Sequence, residues 1–292
     1  MDKVARFFRK SYLCLTVLSL LLIFFQEGVA QPNAAQPTTS DVGATQSSPH
    51  RISLQFGYQR YATSEPILSP LHYQGSYRLW QPSYTYRGER SYHRLQLSRI
   101  EDELTSSVAS SDEFDRQGYI DLFGVQLQYT FLRKLRKYTH WTLWVGGTLE
   151  FTYFDKESSY IYDWDGRAAD GFIAPSPAVA GTVQLGKHHR LRGQFSITPL
   201  AYVAGRTYAS NRPPLEMIGQ ELTVGNALRY GDWLTFINFI NLRGELMYGY
   251  SLGKHWELQL AYGFQYYHYD KLGPFDVRSV INTLLMGISF SL

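Results

Sequence analysis

The sequence predicts an all-β protein, an antiparallel transmembrane β-barrel of about 10 strands within a range of roughly 8 to 12. Three observations lead to this fold class. Bulky apolar and small polar residues alternate in many short segments, aromatic residues make up 16% of the chain, and the N-terminus has the pattern of an export signal. A barrel in lipid presents apolar side chains outward and polar ones inward, which produces this alternation with a period of two.

The N-terminal segment has the three parts of a cleaved signal peptide. Four basic residues precede an apolar run over 13–25, and Gly28 and Ala30 form a small-residue cleavage site. We therefore predict a signal peptide over 1–30, cleaved after about Ala30, and export through the Sec pathway. The single cysteine, Cys14, lies inside it. Disulfides and cysteine-based metal or catalytic sites are thus excluded from the mature chain.

The mature chain divides into a short tail and one domain. Residues 31–50 are rich in Pro, Ser, Thr, Ala and Gln, which predicts a flexible periplasmic tail, and residues 51–292 form the barrel. Removal of 1–30 leaves 24 basic against 23 acidic residues. Such a balance has no electrostatic footprint for nucleic acid.

Ten segments show the alternation. In the last of them Leu284, Met286 and Ile288 fall on one face, while Gly287 and Ser289 fall on the other. In the second, the aromatic positions change parity at proline 82, which predicts a bulge there. The predicted strands cover 52–61, 71–87, 92–100, 123–131, 141–153, 173–185, 191–198, 240–252, 256–266 and 280–292.

Connections of two kinds alternate along the chain. The short ones are predicted near 88–89, 132–139, 186–190 and 253–255, and the long ones near 101–118, 155–172, 204–234 and 270–278. Outer-membrane barrels use short periplasmic turns and longer external loops, so both termini are expected on the periplasmic side. Leu215, Ile218 and Leu222 have helical spacing, which predicts either a helix on the rim or a lid over the mouth.

These patterns resemble the outer-membrane β-barrel proteins of Gram-negative bacteria over the whole mature chain. The terminal Phe290-Ser291-Leu292 is similar to the signal that such proteins present to the barrel-assembly machinery, although members usually end on an aromatic residue. The segment 65–75 is similar to the first-loop motif of uncharacterised porin-like families. The resemblance implies location in the cell outer membrane, with membrane lipid, lipopolysaccharide and the assembly machinery as partners.

One constellation is a candidate for catalysis. Asp163 and Asp165 lie in a predicted long loop, and His268 and Asp270 lie at the outer end of the ninth predicted strand. Carboxylates facing a His and an Asp can position and deprotonate a water, and the set is similar to that of the ten-stranded omptin proteases. Here the order is His-x-Asp rather than Asp-x-His, and His268 has the outward parity. Solvated acids, or acids that bind divalent cations, are the alternative.

Metals and cofactors are not expected. Asp163, Asp165, Gly166 and Asp170 have part of the spacing of a calcium loop, but the terminal bidentate Glu is missing. The histidines near the short turns have no ligand-rich segment beside them.

Six charged residues are predicted to line the lumen. Charges of both signs inside a barrel of about ten strands favour ion pairs that fill the interior, because wide aqueous pores belong to barrels of about 16 strands or more. A narrow channel is the alternative. The six are Arg78, Arg94, Glu150, Arg192, Arg243 and Glu245.

Taken together, the sequence favours an outer-membrane barrel with a structural, surface-binding or narrow small-solute channel role. A membrane-embedded hydrolase, omptin-like or lipid-modifying, is the functional alternative. A soluble β-sandwich is the alternative fold, because sheets with one solvated face also alternate.

Overall fold

The computed structural model describes residues 48–65, 69–106, 119–138, 141–160, 164–207, 232–270 and 276–292. All of them belong to one compact unit, Gln46–Leu292. The predicted signal peptide, most of the predicted tail and the segment around Ile218 lie outside the described residues. In the part that is described, no helix has the length and apolarity needed to cross a membrane.

Twelve strand segments account for nearly all of the described chain. Alternating sequences favour them, because an extended backbone sends successive side chains to opposite faces. They are β1 (His50–Glu65), β2 (Ser69–Arg87), β3 (Ser91–Ser106), β4 (Tyr119–Lys137), β5 (Trp141–Tyr160), β6 (Trp164–Leu185), β7 (His189–Thr198), β8 (Leu200–Thr207), β9 (Asp232–Thr235), β10 (Phe239–Ser251), β11 (Trp256–Asp270) and β12 (Asp276–Ser291).

The segments close into an antiparallel barrel of ten strands. The sheet runs β5-β4-β3-β2-β1-β12-β11-β10-β7-β6, and the pairing of β5 with β6 closes the ring. β7 and β8 are two parts of one wall strand, since both pair with β6. β9 and β10 likewise continue one another, since β9 pairs with β8 and β10 pairs with β7. The predicted fold class and strand number are confirmed.

The described connections at one end of the barrel are short, and the start of β1 and the end of β12 lie beside them. The amide of Leu292 donates to the carbonyl of His50 at 3.0 Å. Two of the short turns contain a glycine with positive φ, Gly186 at 74° and Gly253 at 120°. Other residues rarely adopt this backbone conformation, so glycine permits these tight turns. We call this end the turn end and the opposite one the loop end.

The two faces of the wall differ as the alternation predicts. Along β12, Met286 is 71% exposed on the outer face, whereas its neighbour Leu285 is 4% exposed on the inner face. On β11, Leu258, Leu260 and Tyr262 form a similar exposed row. An apolar outer belt around a filled interior is the arrangement of barrels that span membranes.

The predicted bulge at proline 82 is wrong. β2 pairs with β1 in one continuous register through Pro82, and Tyr73 and Tyr77 face the interior instead of the outside. The change of parity occurs at proline 199, between β7 and β8. Thr198 and Ala201 are both buried on the inner face although one position is odd and the other even. Proline lacks the amide that continues a ladder, which explains the break there.

Several predicted loops are shorter than the sequence indicated. The segment 155–172 was predicted as a long loop, but β5 and β6 pair through it as far as Tyr160 and Trp164. Strand residues also extend into the predicted loops near 101–118, 204–234 and 270–278. Polar residues on these extensions resemble a loop composition, yet their backbone groups continue the ladder beyond the apolar belt.

Candidate functional site: the barrel interior

The interior has two regions of different chemistry. Toward the loop end it is apolar and aromatic, and toward the middle and the turn end it is mostly polar and charged, with two smaller apolar clusters. A barrel of about this size has an interior that side chains can fill. The candidate functional groups of the described chain therefore face one another across the lumen.

Five aromatic side chains form a chain across the lumen, which we call the aromatic plug. It begins on β1, crosses to β5 and β11, and returns through β6 to β10. Consecutive ring centroids are 5.8, 6.4, 5.7 and 5.3 Å apart, distances at which aromatic rings attract one another. The members, in this order, are Tyr61, Phe154, Tyr267, Phe172 and Phe239.

Aliphatic residues surround the plug and one polar contact connects two of its rings. Ile100 and Leu104 of β3 and Ile120 of β4 are at most 1% exposed in the same cluster. The hydroxyls of Tyr61 and Tyr267 are hydrogen-bonded at 2.7 Å. Apolar surface buried in this way stabilises the barrel with few polar groups to satisfy. The lumen is therefore packed at this level.

Below the plug, Glu150 of β5 is the centre of a polar network. Its carboxylate accepts hydrogen bonds from Gln126 at 2.6 Å and from Gln265 at 2.9 Å. Asn241 donates to the second carboxylate oxygen at 3.2 Å. A guanidinium nitrogen of Arg243 lies 3.8 Å away, an ion pair without hydrogen-bond contact. The network connects strands on opposite sides of the lumen and satisfies a carboxylate that is only 2% exposed.

Further ion pairs continue toward the turn end. Arg94 of β3 pairs with Glu245 of β10 across the lumen at 2.5 Å. Glu257 of β11 is shared between Arg51 at 2.8 Å and Arg190 at 2.6 Å. Buried charges cost desolvation energy, and these partners offset that cost.

Two small cavities lie in the polar region. One of about 40 Å³ lies between Gln126, Arg243 and Gln265. Another of about 30 Å³ lies among arginines near the turn end, next to Tyr92 and Ser289. Each has room for one or a few waters, because a water needs about 10–15 Å³ of such space. Neither is a passage for a solute molecule.

A larger depression lies on the outer face. It measures about 450 Å³ and has a floor of outward glycines, including Gly181, Gly193 and Gly244, with Phe195 and Tyr262 at its sides. A Cβ at Gly181 or Gly244 would meet no atom within 4 Å. This depression belongs to the apolar belt and not to the lumen.

Five of the six residues predicted to line the lumen lie on the inner face. The structure brings Arg94 together with Glu245, and Arg243 together with Glu150. The guanidinium of Arg192 lies 3.5 Å from the ring centroid of Tyr92, a cation–π contact.

The sixth prediction, Arg78, is wrong. This residue is exposed between Tyr77 and Leu79, which are both buried on the inner face. In the ladder it lies opposite Tyr58, which is 61% exposed on the outer face. The error has the same origin as the predicted bulge at Pro82, since β2 keeps one parity throughout.

The structure does not bring the candidate catalytic residues together in its described part. Asp163 lies outside the described residues, and the backbone of Asp165 pairs with Ser159 near the tip of the β5–β6 hairpin. His268 and Asp270 share the outer face of β11. Among the described residues, no group of three or more potential metal ligands occurs.

Sequence reasoning missed three inner arginines at the turn end. Arg51 and Arg87 lie just outside or at the end of their predicted strands, and Arg190 was assigned to a turn. All three line the cavity of about 30 Å³. The sequence did contain a signal for these arginines, because each one continues the inward-facing alternation of the strand beside it.

Comparisons with known proteins give the fold and no closer relationship. No family model matches the sequence, and no curated protein matches it. Among solved structures, the outer membrane protease OmpT from Escherichia coli has a TM-score of 0.50 at 8% identity, over 85% of this chain and 100% of that chain. The translocator domain of the autotransporter NalP from Neisseria meningitidis has a TM-score of 0.46 at 8% identity, over 95% and 96%. The likeness to OmpT concerns the fold alone, so the chain has the architecture of an outer-membrane β-barrel.

Proposed function

We propose that this protein is located in the outer membrane of a Gram-negative cell, with its turn end and both termini in the periplasm. The apolar outer belt, the alternation of short turns with longer connections and the signal-peptide pattern of 1–30 support this location. The final strand, which ends with Phe290-Ser291-Leu292, is the proposed signal to the assembly machinery. Membrane lipid and lipopolysaccharide are the proposed surroundings of the belt.

Within the membrane, we propose a closed barrel that has a structural or surface-binding role rather than a channel role. The aromatic plug is the observation that carries this proposal. Its rings connect β1, β5, β6, β10 and β11 across the lumen, and its members are at most 4% exposed. A solute would have to displace packed aromatic side chains and then a network of buried ion pairs.

Conductance of the purified mature protein in planar lipid bilayers tests the closed barrel. We expect no discrete conductance steps for the wild type. The double variant Phe154→Ala and Tyr267→Ala removes two central rings of the plug, so steps or a raised leak are expected only there. Stable steps in the wild type would contradict the proposal.

The matched control removes an aromatic ring from the outer face of β11, the strand that carries Tyr267 on its inner face. Phe264 of β11 is 38% exposed on the outer face. Phe264→Ala deletes the same atoms as Phe154→Ala without opening the lumen, so we expect no conductance steps from this variant. Heat-modifiable migration on gels establishes that each variant has folded.

A hydrolase is not part of the proposal. His268 and Asp270 lie on the outer face of β11, so this pair does not face a substrate in the lumen. Surface binding would instead use the loop end, beyond the plug. Binding of the purified barrel, reconstituted in lipid vesicles, to whole cells measures that activity directly.

A further inference from the structure

Four arginines surround the cavity of about 30 Å³ inside the turn end. We call Arg51, Arg87, Arg190 and Arg192 the arginine cluster. They come from β1, β2 and β7, so the barrel wall brings them together from distant parts of the sequence. A cavity lined by four cations is unusual, because like charges repel strongly where water is scarce.

One carboxylate balances part of this charge. Glu257 accepts from Arg51 and Arg190, and its own exposure is 4%. Arg192 donates to the amide oxygen of Gln194 at 3.1 Å and lies against Tyr92. Glu245 also acts electrostatically on Arg192, but its carboxylate forms an ion pair with Arg94. Glu257 is shared by two arginines and Glu245 is paired with a fifth, so the cluster has more positive than negative charge.

Arg87 has the least compensation in the cluster. Among the described residues its guanidinium has no ion pair and no hydrogen bond, and the nearby charges that act on it are those of Arg51, Arg190 and Arg192. Arg87 is half-buried, and partial removal of a cation from water beside three like charges is unfavourable without a counter-charge. The position of this fourth arginine therefore favours a bound anion.

The cavity also offers a hydroxyl group without a partner. Ser289 of β12 lines it, is 1% exposed, and its Oγ has no hydrogen bond within the described structure. Thr85 and Thr182 line the same space. Hydroxyl and guanidinium groups both donate hydrogen bonds to anions, and buried donors without acceptors are rare. The orphaned hydroxyl is an observation independent of the charge excess, and it points to the same ligand.

We propose that the arginine cluster binds one compact inorganic anion, held by Arg87 and Arg192 with the hydroxyl of Ser289. The size of the cavity selects a chloride-sized ion or a small oxyanion, because about 30 Å³ does not accommodate a sugar, a peptide or a lipid headgroup. The bound anion neutralises the cluster and stabilises the turn end of the barrel. The proposal does not depend on the role of the loop end.

Denaturant unfolding of the full mature protein in detergent micelles tests the site. Chloride is titrated in one series and inorganic phosphate in another, while sodium gluconate, too large for the cavity, keeps the ionic strength constant. An anion that binds only the folded barrel raises the unfolding midpoint in a saturable way. We expect this rise in at least one series, and which series responds identifies the ion as a halide or an oxyanion.

Two variants separate the site from general screening. Arg87→Gln is expected to weaken the apparent affinity at least tenfold, while Ser289→Ala is expected to weaken it less. In gluconate alone, Arg87→Gln should be more stable than the wild type because repulsion within the cluster falls. Arg87→Gln therefore differs from the wild type in opposite directions with and without the anion, a result that a loss of folding cannot mimic.

Arg90→Gln is the matched control, since this exposed turn residue carries the same charge and lies close to Arg87 in the sequence. Its saturable response should equal that of the wild type. The proposal is overturned if neither anion produces a saturable rise, or if Arg87→Gln keeps the wild-type response. It is also overturned if Arg90→Gln loses the response as fully as Arg87→Gln, because the effect is then one of net charge.

Discussion

The two regions of the lumen fill a similar space by different means. The loop-end region packs the aromatic plug with aliphatic neighbours, while the region toward the turn end contains Glu150, Glu245, Glu257 and the arginines that face them. Apolar packing stabilises in proportion to the area removed from water. Buried ion pairs must first offset the desolvation of each charge, so their net stabilisation is small.

This difference suggests two roles, because one region closes the lumen and the other determines how the strands are aligned. Apolar side chains tolerate small shifts, so the plug closes the lumen even if one ring moves. The charged region tolerates no such change, because each carboxylate needs its partners from particular strands at particular heights. Glu150 alone connects β4, β5, β10 and β11 through its hydrogen bonds and its ion pair. We infer that the polar region fixes the register of the closed barrel, while the plug provides most of the interior packing energy.

The largest expected effect comes from removing the centre of the polar network. Glu150→Ala removes the ion-pair partner of Arg243 and the carboxylate that accepts from Gln126 and Gln265, which keep only their amide acceptors. Loss of one partner of a buried pair typically costs about 3–5 kcal/mol. Reversible urea unfolding in lipid vesicles measures this decrease in the free energy of unfolding.

Glu150→Gln serves as the control for charge in this position. It keeps the volume and one acceptor oxygen, so its cost should be clearly smaller than that of the alanine variant. If Glu150→Ala reduces the free energy of unfolding by less than about 1 kcal/mol, the polar region does not specify the barrel in the way inferred here.

The next effect comes from the plug. Phe154 is 1% exposed, and Phe154→Ala leaves a cavity that the surrounding wall cannot close, at a cost of about 3 kcal/mol. Phe264→Ala, on the outer face, exchanges contact with lipid for a smaller contact with lipid and should cost much less. Equal losses for the two variants, measured by the same urea unfolding, would show that the plug is not packed as a core.

The alternation of single residues was sufficient to predict most of the wall. Most wall strands alternate over enough residues that the apolar side is unambiguous, as in Leu258, Leu260 and Tyr262 of β11, and β2 is the exception. The belt must face one apolar environment along its whole height, so the pattern is repeated and readable. The ten strands and their closure follow from this regularity.

The interior beyond the belt was not predictable in the same way. Near the loop end, aromatic residues face inward. Tyr73 and Tyr77 are examples, and the assumption that aromatic residues face outward led to the predicted bulge at Pro82. The real break, at Pro199, lies at the end of the seventh predicted strand, so the parity change between the outward Phe195 and the outward Tyr202 fell outside the predicted alternation. Partners across the lumen, such as Arg94 and Glu245, depend on strand order and shear, which no local pattern contains.

A single hydroxyl tests the polar contact within the plug. Tyr61→Phe removes the hydrogen bonds to Tyr267 at 2.7 Å and to Ser279 at 3.2 Å, for an expected loss of about 1 kcal/mol. Tyr77→Phe is the control, because the Tyr77 hydroxyl is buried without a hydrogen bond in the described structure. Its removal should be neutral or slightly stabilising. Equal losses of stability for both variants would mean that the volume of the deleted hydroxyl, and not this hydrogen bond, determines the stability of the plug.

The smallest expected effect is that of an Arg–Glu pair on the outside of the wall. Arg99 and Glu101 of β3 form an ion pair at 2.5 Å with side chains 33% and 54% exposed, while Arg94 and Glu245 form one at the same distance inside the lumen. Water screens the exposed pair, so Glu101→Gln should cost about 0.2–1 kcal/mol and less at high salt. Glu245→Gln leaves the buried Arg94 uncompensated and should cost several times more, with little dependence on salt, because the lumen excludes the ions that would screen it. Urea unfolding of both variants at low and at high salt therefore measures how much burial changes the contribution of an Arg–Glu ion pair to the free energy of unfolding when the N···O distance is the same. Equal costs and equal salt dependence would indicate that water fills the region around Glu245 and that the lumen is not closed there.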